Sequence, residues 1–527
     1  MLLASAELNP APLTRQYGNS KQSRLSDWIY FPDRAFSPNG LSEYETTLTL
    51  TAYSDARPRG RVAAPSPDRS AETRLAFPAK LYLATVILPV LFDVGSLSLS
   101  GQRVLLLLMF IPLTLNLVRG KYGKLLWTDI FFFLHILWAA VAMWVNNPDR
   151  MIQNAGSTSI EFMGGYLVGR AYIRSVDDFI ALIRVFVFMV CCTLPLALHE
   201  TLTGRPIVLE LIRKIPGITS VGIVNYPPRM GLERVQALFA HPIHYGLFCS
   251  TAFSLFFVGL KDIVSSATRY MAGAVIILCV FLSLSSGAIL PLILQIFLIL
   301  WAFSLNTIRQ RWLILLGLFM LAYVMIDLLS NRTPIKVFMT YATFSANNAY
   351  YRGLIFEWGM VNVRAHPIFG LGLNDWVRPF FMRSGTMDNF WLVNAVRYGI
   401  PGFLLLVFGY LPALWKIGRR NFDANRRLWL LRRAWIFTFA GLTLTLCTVH
   451  VWTSIYSFVF FLFGAGMWFL TVEADVADEA DSTTQASTRP KITYSRSFPA
   501  REGIIRDREA EHAVLARPPA APRHSRS

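Results

Sequence analysis

The chain has 527 residues, of which 54% are hydrophobic and only 16% are charged, whereas about a quarter of the residues of a soluble protein are charged. The formal net charge is +18, yet residues 1–80 carry ten basic and eight acidic side chains, and residues 471–527 carry nine of each. The positive excess therefore lies among long apolar segments, where basic residues set membrane orientation. This pattern excludes both a soluble globular class and a nucleic acid partner.

Both ends of the chain are polar. Residues 1–76 contain no sustained apolar run and are rich in arginine, proline and serine, so we expect a disordered segment. No apolar block near Met1 resembles a cleavable signal peptide, so the first span is expected to be an uncleaved anchor. Residues 473–527 are expected to form a second disordered tail. Residues 77–472 then form the predicted membrane domain.

Apolar segments long enough to cross a bilayer core, about 20 residues each, recur through this domain. They do not show the alternation of an outer-membrane barrel, so we predict an all-α polytopic membrane protein with about twelve spans. The fourth span contains Glu161, and the sequence leaves open whether the seventh and eighth form a hairpin or one broken helix. The predicted spans are 81–99, 103–118, 126–146, 155–171, 178–198, 242–259, 270–285, 287–304, 312–330, 389–415, 434–450 and 452–471.

Lysines and arginines concentrate in alternate short connections, most densely between Lys416 and Arg433. Such connections face the cytoplasm, which predicts that both termini are cytoplasmic. Two long connections, residues 199–241 and 331–388, then lie on the opposite face. Loops of this length in a helical bundle are usually functional. We therefore expect the chemistry in the first long connection (199–241) and the second long connection (331–388).

The second long connection contains "NNAYYRGLIFEWGMVNVRAHPIFGLGLNDW" and leads into "DNFWLVNAVRYGIPGFLLL". Its first half predicts an amphipathic helix that lies against the membrane and ends before Pro367, and "GLGLND" predicts a turn. The first long connection ends in "GLERVQALFAHPIHYGLF", where Arg234 and His241 stand just before a span. Arg234 and Arg352 are therefore expected to meet at the mouth of the bundle.

These segments resemble motifs of the O-antigen ligase/polymerase superfamily. "RVQALFAHPIHYGLF" is similar to R-x-x-G-x-F-x-x-P, "YYRGLIFEWGMVNVRAHPIFGLGLNDW" to an arginine followed by Trp and P-x-x-G-x-G, and "DNFWLVNAVRYGIPG" to a closing His-Asn or Asp-Asn motif. The resemblance covers about residues 81–470. It implies glycosyl transfer, without metal or cofactor, from an undecaprenyl-diphosphate-linked glycan at the periplasmic face of a bacterial inner membrane.

The residues fit this chemistry. Breaking the anomeric bond leaves negative charge on a diphosphate, which guanidinium groups bind well. Arg352 is the first candidate for this role, Arg234 the second and Arg364 the third. The acceptor hydroxyl needs a base, for which Asp388 is the candidate, although Asp388 could instead cap the following helix.

Three further residues are expected to bind diphosphate or glycan: His241, His366 and Asn389. Either histidine could instead be a structural turn residue, since each precedes a proline. The acidic residues of the long connections contain no Asp-x-Asp pair that would hold a divalent cation. The chain departs from the superfamily at Asp388, where ligases often have His, and at Ser285-Ser286-Gly287, where Ser-Arg-Gly is frequent.

Three functions stay open. The first is a polysaccharide polymerase for exopolysaccharide or O-antigen synthesis, which Asp388 in place of His favours. The second is ligase-type transfer to a lipid or protein acceptor, and the third is a transporter or flippase of lipid-linked oligosaccharide. The expected partners are the lipid-linked oligosaccharide, an acceptor glycan, the bilayer and, by family analogy, a chain-length regulator.

Overall fold

The computed structural model describes residues 74–94, 97–331 and 346–473, together with Pro334 and Val337. The two segments predicted to be disordered, residues 1–76 and 473–527, lie almost entirely outside this part, so their disorder stays a prediction. The same holds for the start of the second long connection.

The described chain is mainly helical. A π-helical turn, Ile160–Gly164, joins the helix Pro148–Ser159 to the helix Gly165–Tyr172, and a 3₁₀ turn, Met467–Leu470, follows the helix Thr453–Gly464. In chain order the helices are α1 (Phe77–Ile87), α2 (Gly101–Val118), α3 (Trp127–Asn146), α4 (Pro148–Ser159), α5 (Gly165–Tyr172), α6 (Val176–Thr203), α7 (Ile207–Arg213), α8 (Pro242–Phe257), α9 (Ser266–Leu282), α10 (Ser286–Ser304), α11 (Arg311–Leu329), α12 (Ala346–Ala365), α13 (Phe390–Arg419), α14 (Arg426–Leu446) and α15 (Thr453–Gly464).

The first predicted span, residues 81–99, is wrong as a single helix. Helix α1 ends at Ile87 because Leu88 precedes a proline and is extended. The chain then forms an antiparallel hairpin of β1 (Val90–Val94) and β2 (Leu97–Ser100). A short strand of the first long connection, β3 (Thr219–Ser220), pairs with β1 and completes a three-stranded sheet.

Seven helices in the described part are long and apolar enough to cross a membrane. They are α2, α3, α6, α10, α11, α13 and the segment Thr453–Leu470, while α1 and α9 are shorter apolar helices. The multi-pass character predicted from the sequence is therefore supported. The count of twelve spans and their orientation stay predictions.

Helices α5 and α15 approach each other backbone to backbone at three glycines. A Cβ built on Gly165 would lie 2.4 Å from the carbonyl oxygen of Ser457, and one on Gly169 would lie 2.1 Å from that of Phe461. From the opposite side, a Cβ on Gly464 would lie 2.2 Å from the Tyr166 carbonyl oxygen. Beside this contact, Phe132 packs its ring against Tyr166 and other aromatic side chains of the core.

The seventh and eighth predicted spans are two separate helices, α9 and α10. They are divided at Ser283–Ser285, where Leu284 has a φ of 44°. The first long connection binds this break: the backbone N–H of Val235 donates to the carbonyl of Leu282 (3.2 Å), and Nη1 of Arg229 donates to that of Leu284 (2.8 Å). The break therefore anchors the first long connection to the helical bundle.

Candidate functional site

A cavity of 1030 Å³ lies where both long connections meet the first turns of α8 and α13 and the link between α14 and α15. Three of the seven predicted site residues line it: Arg352, Asp388 and His241. The structure thus brings together side chains that are far apart in the sequence. The cavity wall also includes Tyr226, Arg397 and His450, none of which the sequence singled out.

Arg352 and Asp388 face this cavity as an opposite-charge pair. Burial lowers the pKa of the Arg352 guanidinium, and the negative charge of Asp388 opposes that change. Burial also raises the pKa of the Asp388 carboxyl above its ordinary value of 3.8, against the opposing effect of Arg352. Asp388 is open to the cavity, but the enclosing protein removes enough bulk water to disfavour its charge.

The guanidinium of Arg352 has an unused donor. Its Nη1 atom is buried and has no hydrogen-bond partner within the described residues. A buried cationic donor left unpaired is costly, and an anionic oxygen bound in the cavity would satisfy it. This observation favours an anionic ligand beside Arg352.

Asn389, and not Asp388, caps helix α13. The Oδ1 atom of Asn389 accepts a hydrogen bond from the backbone N–H of Leu392 (3.0 Å), as expected of an N-cap side chain. The capping role that the sequence left open for Asp388 is therefore filled by its neighbour. The side chain of Asn389 is almost fully buried and forms the cap, and its predicted binding to the substrate stays a prediction.

Arg234 lies behind the cavity wall. It lines a smaller cavity of 260 Å³ that shares Val224 and Tyr226 with the first one, and its Cζ atom lies 4.7 Å from the centre of the Tyr226 ring. Burial lowers the pKa of Arg234 to about 10, and the nearby charge of Arg229 lowers it further. Arg234 and Arg352 were expected to meet; they line separate cavities within the described part.

Arg229 has an electrostatic effect on both Arg234 and Arg352. Its charge lowers the pKa of both Arg234 and Arg352, so Arg229 lies near enough to repel each of them. Because like charges repel, an anion bound beside Arg352 or Arg234 would relieve part of this repulsion. Arg229 also contacts Leu284, beside Ser285-Ser286-Gly287, where the superfamily often has an arginine. No motif distinguished Arg229 from the other basic residues of the first long connection.

Arg364 and His366 lie outside the cavity and are exposed. The reason is the rotation of α12 at its end, where Asn362 faces inward. The Asn362 side chain donates to the carbonyl of Val377 (2.8 Å) and accepts from the Val377 backbone N–H (2.9 Å). Two residues further on, Arg364 points away from that contact. The predicted substrate contacts of Arg364 and His366 gain no support from this arrangement.

The segment Pro367–Leu373 holds Arg397 in position. The N–H groups of Leu371 and Gly372 donate to the carbonyls of Val396 (2.7 Å) and Arg397 (3.0 Å). Helix α13 is kinked at Gly399, where φ is 71°, and the next N–H donates to the Pro367 carbonyl (2.8 Å). The segment Pro367–Leu373 therefore packs against α13 and fixes its position through backbone hydrogen bonds.

The first long connection is fixed by a buried carboxylate. Glu200 accepts the backbone N–H groups of Gln236 and Ala237, both at 2.8 Å. The Gln236 side chain then accepts from the N–H of Val224 (2.8 Å) and donates to the carbonyl of Gly222 (3.0 Å). This chain of bonds holds the segment that carries Tyr226.

Among the described residues, no group of three His, Cys, Asp or Glu side chains is arranged to hold a metal ion. The prediction of a site that needs neither metal nor cofactor stays a prediction. The ionisable side chains that line the cavity include arginines, carboxylates and histidines.

Comparison with known proteins gives one family. Residues 271–407 match the family model described as O-antigen ligase. This range includes Arg352, Asp388 and Arg397. The match confirms the predicted resemblance to the O-antigen ligase/polymerase superfamily. A search of curated proteins found no match.

Proposed function

We propose that this protein is a membrane polysaccharide polymerase. It transfers glycan from an undecaprenyl-diphosphate-linked repeat unit to an acceptor glycan, for exopolysaccharide or O-antigen synthesis. The observation that carries the proposal is the pair formed by Arg352, with its unpaired buried donor, and Asp388, with its raised pKa, in one cavity. The family match supports the coarser statement, a glycosyl transfer of the ligase or polymerase type.

The reaction assigns one role to each side chain of the pair. The bond between the anomeric carbon and the diphosphate oxygen breaks, and a bond from that carbon to the acceptor oxygen forms. Arg352 stabilises the charge that develops on the leaving diphosphate. Asp388 takes the proton of the acceptor hydroxyl. Arg397, which lines the same cavity, adds positive charge beside the leaving group, and Arg234 adds its charge from behind the cavity wall.

An apolar groove of 760 Å³ beside the cavity supports a lipid-linked donor. It is lined by side chains of α11, α12, α13 and α14, among them Phe319, Phe356 and Trp391. Thr448 lines both this groove and the polar cavity. A polyprenyl chain in the groove would bring its diphosphate end next to Asp388.

The neighbouring functions are distinguished by acceptor and by site. Ligase-type transfer to a lipid or protein uses the same donor chemistry, and the carboxylate of Asp388, in place of the His frequent in ligases, favours the polymerase. Transporters usually bind substrates at the midplane, whereas the charged groups here gather where connections meet helix ends. The charge pattern supports an inner-membrane location with cytoplasmic termini and a periplasmic site.

The test is polymer length in a deletion strain that expresses wild type, Arg352→Ala, Asp388→Asn or the control Arg383→Ala at equal membrane levels. Arg383 is an exposed arginine of the same connection that does not line the cavity. Wild type and the control should restore long polymer, while the two site variants leave single repeat units. Normal polymer in the site variants would refute the assignment. Accumulation of repeat units on the cytoplasmic side would instead favour the transporter.

A further inference from the structure

Tyr226 stands in the wall between the polar cavity and the smaller cavity that Arg234 lines. Its hydroxyl lies 2.9 Å from Nε2 of His241, and its ring lies under the Arg234 guanidinium. The segment that carries it is fixed through Gln236 and Glu200, as described above. Neither the family motifs nor the reaction proposed above uses this tyrosine.

The other hydrogen bond of His241 determines which residue is the donor in the bond between His241 and Tyr226. Nδ1 of His241 accepts from the backbone N–H of Ile243 (3.0 Å), where His241 is the N-cap of α8. Burial lowers the pKa of His241 to about 4, and the charge of Arg234 adds to this effect. The imidazole is therefore neutral at physiological pH, and its one proton is on Nε2.

It follows that His241 donates and the oxygen of Tyr226 accepts. The hydroxyl proton of Tyr226 is then left free for another acceptor, and no hydrogen bond of it to any other described residue is present. The guanidinium over the ring withdraws electron density from the phenol, which strengthens its O–H group as a donor. An anionic oxygen is the acceptor that benefits most from such a donor.

We propose that Tyr226 binds the donor substrate directly, by donating its hydroxyl proton to an oxygen of the lipid-linked diphosphate. His241 is a positioning residue that acts through Tyr226, and Arg234 acts on the diphosphate from behind the ring. This inference rests on the proposed function for the identity of the ligand. It assigns the cavity a neutral donor besides its arginines.

The experiment measures binding of undecaprenyl diphosphate to the full-length protein in nanodiscs, and the KM and kcat of polymer synthesis. Tyr226→Phe keeps the ring under Arg234 and removes only the hydroxyl. His241→Asn keeps an N-cap side chain but is too short to reach Tyr226. We expect Tyr226→Phe to weaken binding about tenfold and to raise the KM of the donor similarly, with a smaller effect on kcat.

The double variant, which combines Tyr226→Phe with His241→Asn, tests whether His241 acts through Tyr226. If His241 acts through Tyr226, the double variant binds no more weakly than Tyr226→Phe, because the two losses are not additive. Additive losses would overturn the role of His241. Unchanged binding in Tyr226→Phe, or no binding of undecaprenyl diphosphate by the wild type, would overturn the assignment of Tyr226. A wild type that binds the diphosphate but makes no polymer would contradict the proposed function while leaving this inference standing.

Discussion

The backbone N–H of Phe390 donates a hydrogen bond to the carbonyl of Val449 at 3.2 Å. This bond ties the start of α13 to the link between α14 and α15. Asp388 precedes Phe390 by two residues, and His450 directly follows Val449, so both side chains line one cavity. A carboxylate and an imidazole from two different parts of the chain thus line the same cavity.

Replacing Arg352 should strongly slow transfer without unfolding the protein. We expect Arg352→Ala to lower kcat by at least about a hundredfold, the usual effect of removing a donor to a developing anion. Arg352→Lys should recover only part of the loss, because a lysine lacks the forked donors of a guanidinium. Polymer synthesis by purified protein checks this. Equal activity of the lysine variant and wild type would show that charge alone suffices.

The pH dependence of transfer should report Asp388. The carboxylate form is the base, and burial raises its pKa above 3.8. The rate should therefore fall as pH decreases through this raised pKa, and Asp388→Asn should lose most activity together with this acidic limb. The profile of kcat/KM against pH checks the expectation. Asp375→Asn is the control: its carboxyl is ion-paired with Arg378 and has a lowered pKa, so the acidic limb should persist.

Arg364 and His366 provide a test that separates sequence motif from structure. Both were predicted to bind substrate, yet both are exposed outside the cavity. We expect Arg364→Ala and His366→Ala to keep donor KM within about twofold of wild type, since surface substitutions usually change free energies by less than 0.5 kcal/mol. A tenfold rise in KM for either variant would restore the motif-based prediction.

Gly399 should tolerate no side chain. A Cβ there would lie 2.0 Å from the carbonyl oxygen of Ile368, and its φ of 71° is unfavourable for alanine. Gly231 has a similar φ of 75° with nothing within 4 Å, so it is the matched control for backbone strain alone. We expect Gly231→Ala to cost about 1 kcal/mol and Gly399→Ala clearly more. Thermal unfolding in detergent compares them, and similar melting temperatures would contradict the docking role of Gly399.

Glu200 should be needed for the cavity wall. Its two carboxylate oxygens each accept one backbone N–H group. A glutamine side chain has only one acceptor oxygen, which is neutral, so it cannot replace both bonds. We expect Glu200→Gln to lower the free energy of unfolding by about 1–3 kcal/mol and to speed hydrogen exchange at Val224. Glu210→Gln is the control, because Glu210 is ion-paired with the exposed Arg205 at the surface, and such surface pairs are worth little. Unchanged exchange at Val224 in Glu200→Gln would argue against this support.

The sequence was informative where local pattern decides structure. Apolar length supported a multi-pass membrane protein, and the motifs pointed to Arg352 and Asp388. It failed at residues 88–99, because an apolar run reads alike as a strand or as part of a span. Arg397 escaped notice, since only tertiary contacts bring it to the cavity, and the effect of Arg229 on Arg234 and Arg352 likewise depends on the tertiary structure. The exposed position of Arg364 outside the cavity could not be predicted, because a motif position does not tell which way a helix has turned.

The close approach of α5 and α15 has a mechanical consequence. An interface of side chains can adjust by changing rotamers, but Gly165, Gly169 and Gly464 meet carbonyl groups directly and leave nothing to rearrange. These two helices should therefore keep one relative position and move as a single rigid unit. Helix α11, by contrast, buries none of its residues within the described part. We therefore expect α11, which lines the apolar groove, to be the helix that moves when a bulky glycan lipid enters or leaves.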